Sequence, residues 1–333
     1  MRRFIFDELT GIPTILATER AKRTDQTGGV SGKVAKKDKK EDSEDTSTDT
    51  KGKSTVKSDK KKVCFFCKGS EHLTPPTLYQ DQESWNVRVF DNKFPLTENH
   101  EIVVHSPNHE DDITEFPHEQ NVRIVRAFLN RFNHYTSQDY EVMLFNNRGG
   151  KAGASLLHPH SQIVALKGFP GIVENEKHSA LRYYDEHNSC YWCDLIKTEL
   201  TLKTRIIYES QKFVLLVPRA SRWSYEMQLV PKTHNPNFEY INEEEINDFA
   251  KILKAALYAY DKLFEKPDRN FWIHSQRYDP YHWHMGFIPH IKVFGGLELG
   301  AGIWVSDKAT PEDAAMRLGE HVKACYEGLT TIA

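Results

Sequence analysis

Four potential metal ligands occur twice along this chain at nearly the same spacing, and that repetition constrains the fold more than any other feature. In the first half Cys64 and Cys67 are followed by His109 and His158, at intervals of 42 and 49 residues; in the second, Cys190 and Cys193 are followed by His234 and His282, at intervals of 41 and 48. The sets are offset by 126, 126, 125 and 124 residues. A Cys-x-x-Cys turn supplies two thiolates from one loop, and two distant histidines close a tetrahedron around zinc. The plainer alternative is two pairs of buried thiols packing as small apolar side chains. Recurrence at near-equal spacing favours metal in both halves, and four protein ligands leave no open position, so the expected sites are architectural.

The segments between the ligands also correspond. Residues 85–90 and 101–104 in one half, and 213–217 and 226–230 in the other, are rich in β-branched and aromatic residues and predict strands. Apolar residues at helical spacing predict helices over 119–135 and 243–264, and closing strands are expected over 156–166 and 281–288. The expected fold class is α+β, a duplicated unit in which helices cover an antiparallel sheet. Its halves run over residues 1–175 and 176–333, each with one metal site. Residues 31–62 are almost entirely Lys, Asp, Glu, Ser, Thr and Gly, which predicts a disordered, solvated surface loop. The first half also holds His72, His100, His105, His118 and His134, expected to be ordinary surface or core residues. His109 and His234 are preferred as ligands because each follows a strand and a Pro, in Ser106-Pro107-Asn108-His109 and Pro231-Lys232-Thr233-His234.

Bulk properties exclude several classes. A net charge of −3 provides no global basic field for nucleic acid. No run approaches the roughly 18 apolar residues that cross a bilayer, and a cytoplasmic, membrane-free protein is expected. Four of the five cysteines lie in the two pairs, which suits a reducing compartment; Cys325 is left as an apolar side chain.

Chemistry concentrates where Asn146-Asn147-Arg148-Gly149-Gly150-Lys151-Ala152-Gly153-Ala154-Ser155 runs into Leu156-Leu157-His158-Pro159-His160-Ser161-Gln162. Alternation in a strand predicts that His158, His160 and Gln162 share a face. His158 would then hold metal, His160 would present an imidazole to phosphorus, and Gln162 would donate to phosphoryl oxygens. Imidazole is a good nucleophile near neutral pH and gives a phosphoryl group up again readily. Asn147, Ser155 and the glycine backbone would add donors. The second half has His282-Trp283-His284 without the glutamine or the glycine run, so the nucleophile is placed at His160, with His284 a lesser alternative or an extra metal ligand.

At these residues the chain resembles the histidine triad superfamily, and within it the galactose-1-phosphate uridylyltransferase family. Arg2-Arg3-Phe4 and Glu19-Arg20-Ala21-Lys22-Arg23 look like that family's N-terminal signature, Cys64-Phe65-Phe66-Cys67 like its zinc loop, and Phe90-Asp91-Asn92-Lys93-Phe94-Pro95 like its nucleoside segment. The resemblance implies catalytic roles for His160 and Gln162 and phosphate or substrate contacts from Asn92, Asn147 and Ser155. It further implies a homodimer in which one subunit's Arg20, Arg23, Lys292 and Glu298 reach the other's site. Two zinc ions per chain are implied, the second site taking zinc or iron. Ser161, Lys93, the second Cys-x-x-Cys and the segment 294–300 look more like the ADP-glucose phosphorylase relatives. The implied reaction moves a nucleoside monophosphate between sugar 1-phosphates through a nucleotidyl-histidine, as in a UDP-glucose:hexose-1-phosphate uridylyltransferase. An adenylyltransferase using inorganic phosphate, a dinucleoside-polyphosphate phosphorylase or hydrolase, and a non-enzymatic zinc protein binding nucleotides or RNA remain as alternatives.

Overall fold

A computed structural model describes residues 4–27 and 63–331. The disordered loop expected over 31–62, and Arg2 and Arg3 of the N-terminal signature, lie outside the described residues. A hairpin of β1 (Phe4–Phe6) and β2 (Pro13–Ile15) comes first. The first half then contains β3 (Thr77–Gln80), β4 (Arg88–Asp91), β5 (Asn99–Val104), α1 (His118–Thr136), β6 (Glu141–Arg148) and β7 (His160–Leu166). Helices α2 (Ile172–His187) and α3 (Tyr191–Leu202) lead to β8 (Ile206–Glu209), β9 (Phe213–Leu216), β10 (Met227–Pro231), α4 (Glu243–Leu263), β11 (Arg269–His274) and β12 (His284–Pro289). Helices α5 (Gly296–Ala301) and α6 (Pro311–Thr331) end the described chain.

Ten strands form one antiparallel sheet in the order β3-β4-β5-β7-β6-β11-β12-β10-β9-β8. Counted inward from either edge, the order is the first, second, third, fifth and fourth strand of that half. The halves join where β6 pairs with β11, Leu144 opposite Ile273. Each half places its long helix between its third and fourth strands, as the apolar spacing implied. Helix α4 also carries its own start signal, because the Asn242 side chain accepts from the Glu244 and Glu245 amides while Glu245 accepts from the Asn242 amide.

Strand alternation sorts the side chains onto two faces. Val103, Leu144, Ile163, Phe271, Ile273, Met285 and Phe287 point into one core beneath α1, α4 and α6. The residues between them, including His100, Phe145, His160, Gln162 and Trp272, take the opposite face, away from those helices. The functional groups of the first half therefore gather on the face that the long helices leave uncovered.

Two expected closing strands start later than their sequence suggested. β7 begins at His160 rather than 156, and β12 at His284 rather than 281. Pro159 cannot donate to a ladder, and the preceding residues bend so that the His158 ring reaches the cysteines. His158 therefore does not alternate with His160 along a strand; the bend brings it to the metal ligands, while His160 and Gln162 share the face. The strand expected over 85–90 likewise begins only at Arg88, leaving Trp85 buried outside it.

Candidate active site

Both sets of cysteines and histidines converge. Cys64 Sγ lies 3.5 Å from His158 Nδ1, and Cys67 Sγ lies 3.5 Å from His109 Nδ1 and 3.6 Å from His158 Nδ1. Bonds of about 2.3 Å to sulfur and 2.0 Å to nitrogen in a tetrahedron imply an S···N edge of about 3.5 Å, so this donor set fits a tetrahedral ion. In the other half Cys193 Sγ lies 3.4 Å from His234 Nδ1 and 3.7 Å from His282 Nδ1, and Cys190 Sγ 3.9 Å from His282 Nδ1. Every histidine of both sets offers Nδ1. His158 Nε2 donates to the Ser106 carbonyl and His234 Nε2 to that of Asp279, at 2.8 and 2.9 Å, which orients the rings as outer-shell bonds orient metal-bound imidazoles.

His160 opens β7 and is buried, its ring edge-on to Phe66 with centroids 5.2 Å apart. Its Nδ1 lies 2.8 Å from the His158 carbonyl oxygen. A carbonyl only accepts, so Nδ1 carries the hydrogen and Nε2 the lone pair. Burial holds this imidazole below its ordinary pKa, against the opposing effect of the bond to His158.

His160 lines two cavities. One, of about 180 Å³, is bounded by Phe66, Phe90, Phe94, Ser155 and Gln162, with Arg20, Arg23, Asn92 and Lys93 around it. The other, of about 560 Å³, is lined by charged and polar residues including Asn147, Arg148 and Asp268, together with Leu156 and Leu157. The glycine run between them is a turn pinned by Asp268, whose Oδ2 accepts from the Lys151 amide at 2.6 Å. Gly149 has φ +86°, and a Cβ there would stand 1.9 Å from Asp268 Oδ1, so only glycine fits.

Arg20 and Arg23, which the resemblance assigns to a partner's site, border this chain's own cavity. The reason is local: the Gln26 amide donates to the Ser155 carbonyl at 2.7 Å, Thr27 Oγ1 donates to the Ala154 carbonyl at 2.6 Å, and Arg20 donates to the Phe94 carbonyl. Lys292 and Glu298 pair with each other at 3.2 Å and border neither cavity.

Four residues of the site region had no sequence-based role. His100 Nε2 lies 2.9 Å from Gln162 Oε1, and His105 Nε2 lies 2.8 Å from Ser161 Oγ. Both histidines belong to or follow β5, whose pairing with β7 sets Ile102 opposite Gln162 and Val104 opposite His160. In the second half Glu176 and His274 join His284 in a cluster of potential ligands. Burial works to raise the Glu176 pKa, but the His274 hydrogen bond and charge outweigh it and hold it at about 2. The ring of Trp192 stacks on His284 at 5.0 Å and 26°. His284 is therefore covered where its counterpart His160 borders cavities.

Residues 176–320 match the C-terminal domain of galactose-1-phosphate uridyl transferase, and residues 46–169 match the N-terminal domain of a domain of unknown function, DUF4931. ADP-glucose phosphorylase of Arabidopsis thaliana is 28% identical over 82% of this chain and 86% of its own. Galactose-1-phosphate uridylyltransferase of Thermotoga maritima is 29% identical over 66% and 73%. The X-ray structure of a galt-like protein from Arabidopsis thaliana superposes with a TM-score of 0.71 at 29% identity, over 77% of this chain and 91% of that one. The relatives named here are nucleotidyltransferases. More narrowly, the chain is similar to galactose-1-phosphate uridylyltransferases, and an ADP-glucose phosphorylase is among its relatives.

Proposed function

We propose that this protein transfers a nucleoside monophosphate from a nucleoside diphosphate sugar to a second acceptor through a covalent bond to His160. The observation that carries this reading is the bond from His160 Nδ1 to the His158 carbonyl, which leaves Nε2 as the nucleophilic nitrogen. Nε2 attacks the α-phosphorus, the N–P bond forms as the P–O bond to the sugar 1-phosphate breaks, and that sugar phosphate leaves. A hexose 1-phosphate then takes the nucleotidyl group as the N–P bond breaks. The aromatic wall of Phe66, Phe90 and Phe94 suits a base, and Arg20, Arg23 and Lys93 suit phosphate charge. Gln162, Ser155, Asn147 and Asn92 supply neutral donors.

The two Cys₂His₂ sets are read as zinc sites, the second able to take iron, and their four ligands keep them architectural. The two halves, 1–175 and 176–333, are read as copies of one unit, on the strength of their matching strand order. A cytoplasmic homodimer is proposed, in which the exposed side chains of Leu9, Val293 and Leu299 would lie against the partner. Lys292 and Glu298 would then serve the partner's site. No specific nucleic-acid or membrane partner is proposed.

Incubation with UDP-glucose and with ADP-glucose, each labelled in the α-phosphate, tests the reading. Acid-labile label should appear on wild-type protein and be absent from His160→Gly; equal labelling of that variant overturns it. A second reading, an ADP-glucose phosphorylase that uses inorganic phosphate, is favoured by the Arabidopsis relative that matches over most of both chains. Release of ADP from the ADP-glucose-loaded enzyme on adding phosphate would select it.

A further inference from the structure

The two amide side chains that flank His160 are of use to a phosphoryl group only if their nitrogens, not their oxygens, face it. Hydrogen bonds anchored on backbone groups determine both orientations. The Leu96 amide donates to His100 Nδ1 at 2.8 Å, so that nitrogen is an acceptor and the neutral ring carries its hydrogen on Nε2. His100 Nε2 lies 2.9 Å from the Gln162 amide. Asn92 also turns its Nδ2 to that nitrogen at 3.2 Å, because Asn92 Oδ1 accepts from the Phe94 amide; an amide nitrogen cannot accept, so the Nε2 hydrogen goes to Gln162, which assigns Oε1 to that position and turns the Gln162 nitrogen away from His100.

A second relay reaches Asn147 from the other half of the molecule. The Asn270 amide group stands within 3.2 Å of the Asn146 carbonyl and 3.0 Å of the Ala152 carbonyl, both acceptors only, so its nitrogen faces them. The same nitrogen lies 2.8 Å from the Asn147 side chain, which must present Oδ1 there. Asn270 Oδ1 in turn faces His290 Nε2, which donates to it. The Asn147 nitrogen is thereby turned toward Gly153, where a Cβ would stand 3.6 Å from it.

We propose that His100 and His290 are positioning residues that lock the Gln162 and Asn147 amides with their N–H groups toward the phosphoryl group transferred at His160. Without His100 the Gln162 amide can rotate by half a turn and present an oxygen to anionic oxygens; without His290 the Asn270 oxygen loses its donor, and the Asn270 amide that orients Asn147 is held by two backbone carbonyls alone. The inference rests on the nucleotidyl-His160 reading above. It also explains why strands from both halves are needed for one site: Asn270 and Asn147 are direct cross-strand partners at the β6–β11 junction.

The test measures the single-turnover rate of labelling of His160 from saturating ADP-glucose or UDP-glucose, whichever the wild type uses, with the half-saturating concentration. Deleting a preorganised donor costs about 10²–10³ in rate, so a donor that is only misoriented should cost roughly 10–100-fold. His100→Leu and His290→Leu are expected to show that loss with half-saturation and bound metal unchanged. His100→Gln and His290→Gln, whose amides can donate in the same place, should restore most of it. In a Gln162→Ala background His100→Leu should cost no more than about twofold, and likewise His290→Leu in Asn147→Ala, because the group being oriented is gone. His290 is only partly buried, so its arm decides the matter should His100→Leu fold poorly. Full additive losses, or wild-type labelling rates in both leucine variants, overturn this inference alone. Absence of label on the wild-type protein overturns the nucleotidyl-His160 reading and this inference together.

Discussion

Single side chains here report their surroundings through protonation and fit. His105 is wholly buried, and burial pushes its pKa down to about 3. In the unfolded chain an ordinary histidine titrates near 6.5, so below that pH the unfolded state binds a proton that the folded state refuses. Stability should therefore be full above about pH 6.5 and fall as pH drops toward 3, by about 1.4 kcal/mol per pH unit for one such group. Urea unfolding from pH 7 to 4 should show a shallower slope in His105→Phe than in wild type; identical slopes would contradict the assignment. Gly286 is a matter of space instead. A Cβ there would meet the Trp272 indole at 2.7 Å, and Trp272 is backed by Trp223 with ring centroids 6.3 Å apart. Gly286→Ala should lose about 1–3 kcal/mol by overpacking, read as a lower midpoint in thermal unfolding, with the labelling of His160 intact below it.

At the level of elements, the two metal loops are alike in donors but not in what they support. The first holds His158, whose carbonyl accepts from His160 Nδ1, so an ion there would brace the turn next to the proposed nucleophile. The second packs α3 against β9, β10 and the loop before β12, through Trp192, Val214, Val230 and Tyr281. Cys64→Ser with Cys67→Ser should remove one of two bound zinc ions and abolish labelling of His160. Cys190→Ser with Cys193→Ser should remove the other and lower the unfolding midpoint, because structural zinc contributes directly to folding, while folded protein still labels. Metal analysis beside the labelling assay checks both, and equal loss of labelling in the two variants would contradict this division. Much of this was legible in advance: the apolar spacing of α1 and α4 and the ligand intervals locate helices and metal loops. The edges of β7 and β12 were not, because a Pro and a metal-directed bend ended the ladder where alternation alone would continue it.

For the whole molecule, one continuous sheet couples the halves, and the proposed dimer couples the sites. Lys292 and Glu298 border neither cavity of their own chain, so a shared site predicts complementation. Mixing inactive His160→Gly with inactive Lys292→Ala under conditions that exchange subunits should restore transfer, since each mixed dimer contains one site with both residues. No recovery in demonstrably mixed dimers would confine each site to one chain. Leu9→Asp with Leu299→Asp should shift the mass in sedimentation from dimer to monomer. Among the described residues no helix is long and apolar enough to cross a membrane.

What the chain's order of residues determined by itself was chemistry that is local or periodic. Paired thiols lie three positions apart, helical stripes repeat along the chain, and His160 lies two residues from both His158 and Gln162. Folding decided what depends on distant segments meeting. Pairing of β5 with β7 gave His100 a glutamine to orient, and the β6–β11 junction gave Asn147 its partner. The contact of residues 26–27 with 154–155 drew Arg20 and Arg23 to their own chain's cavity. The physical reason is that a hydrogen bond needs two partners within about 3 Å, and sequence spacing specifies such neighbours only within a turn or a strand.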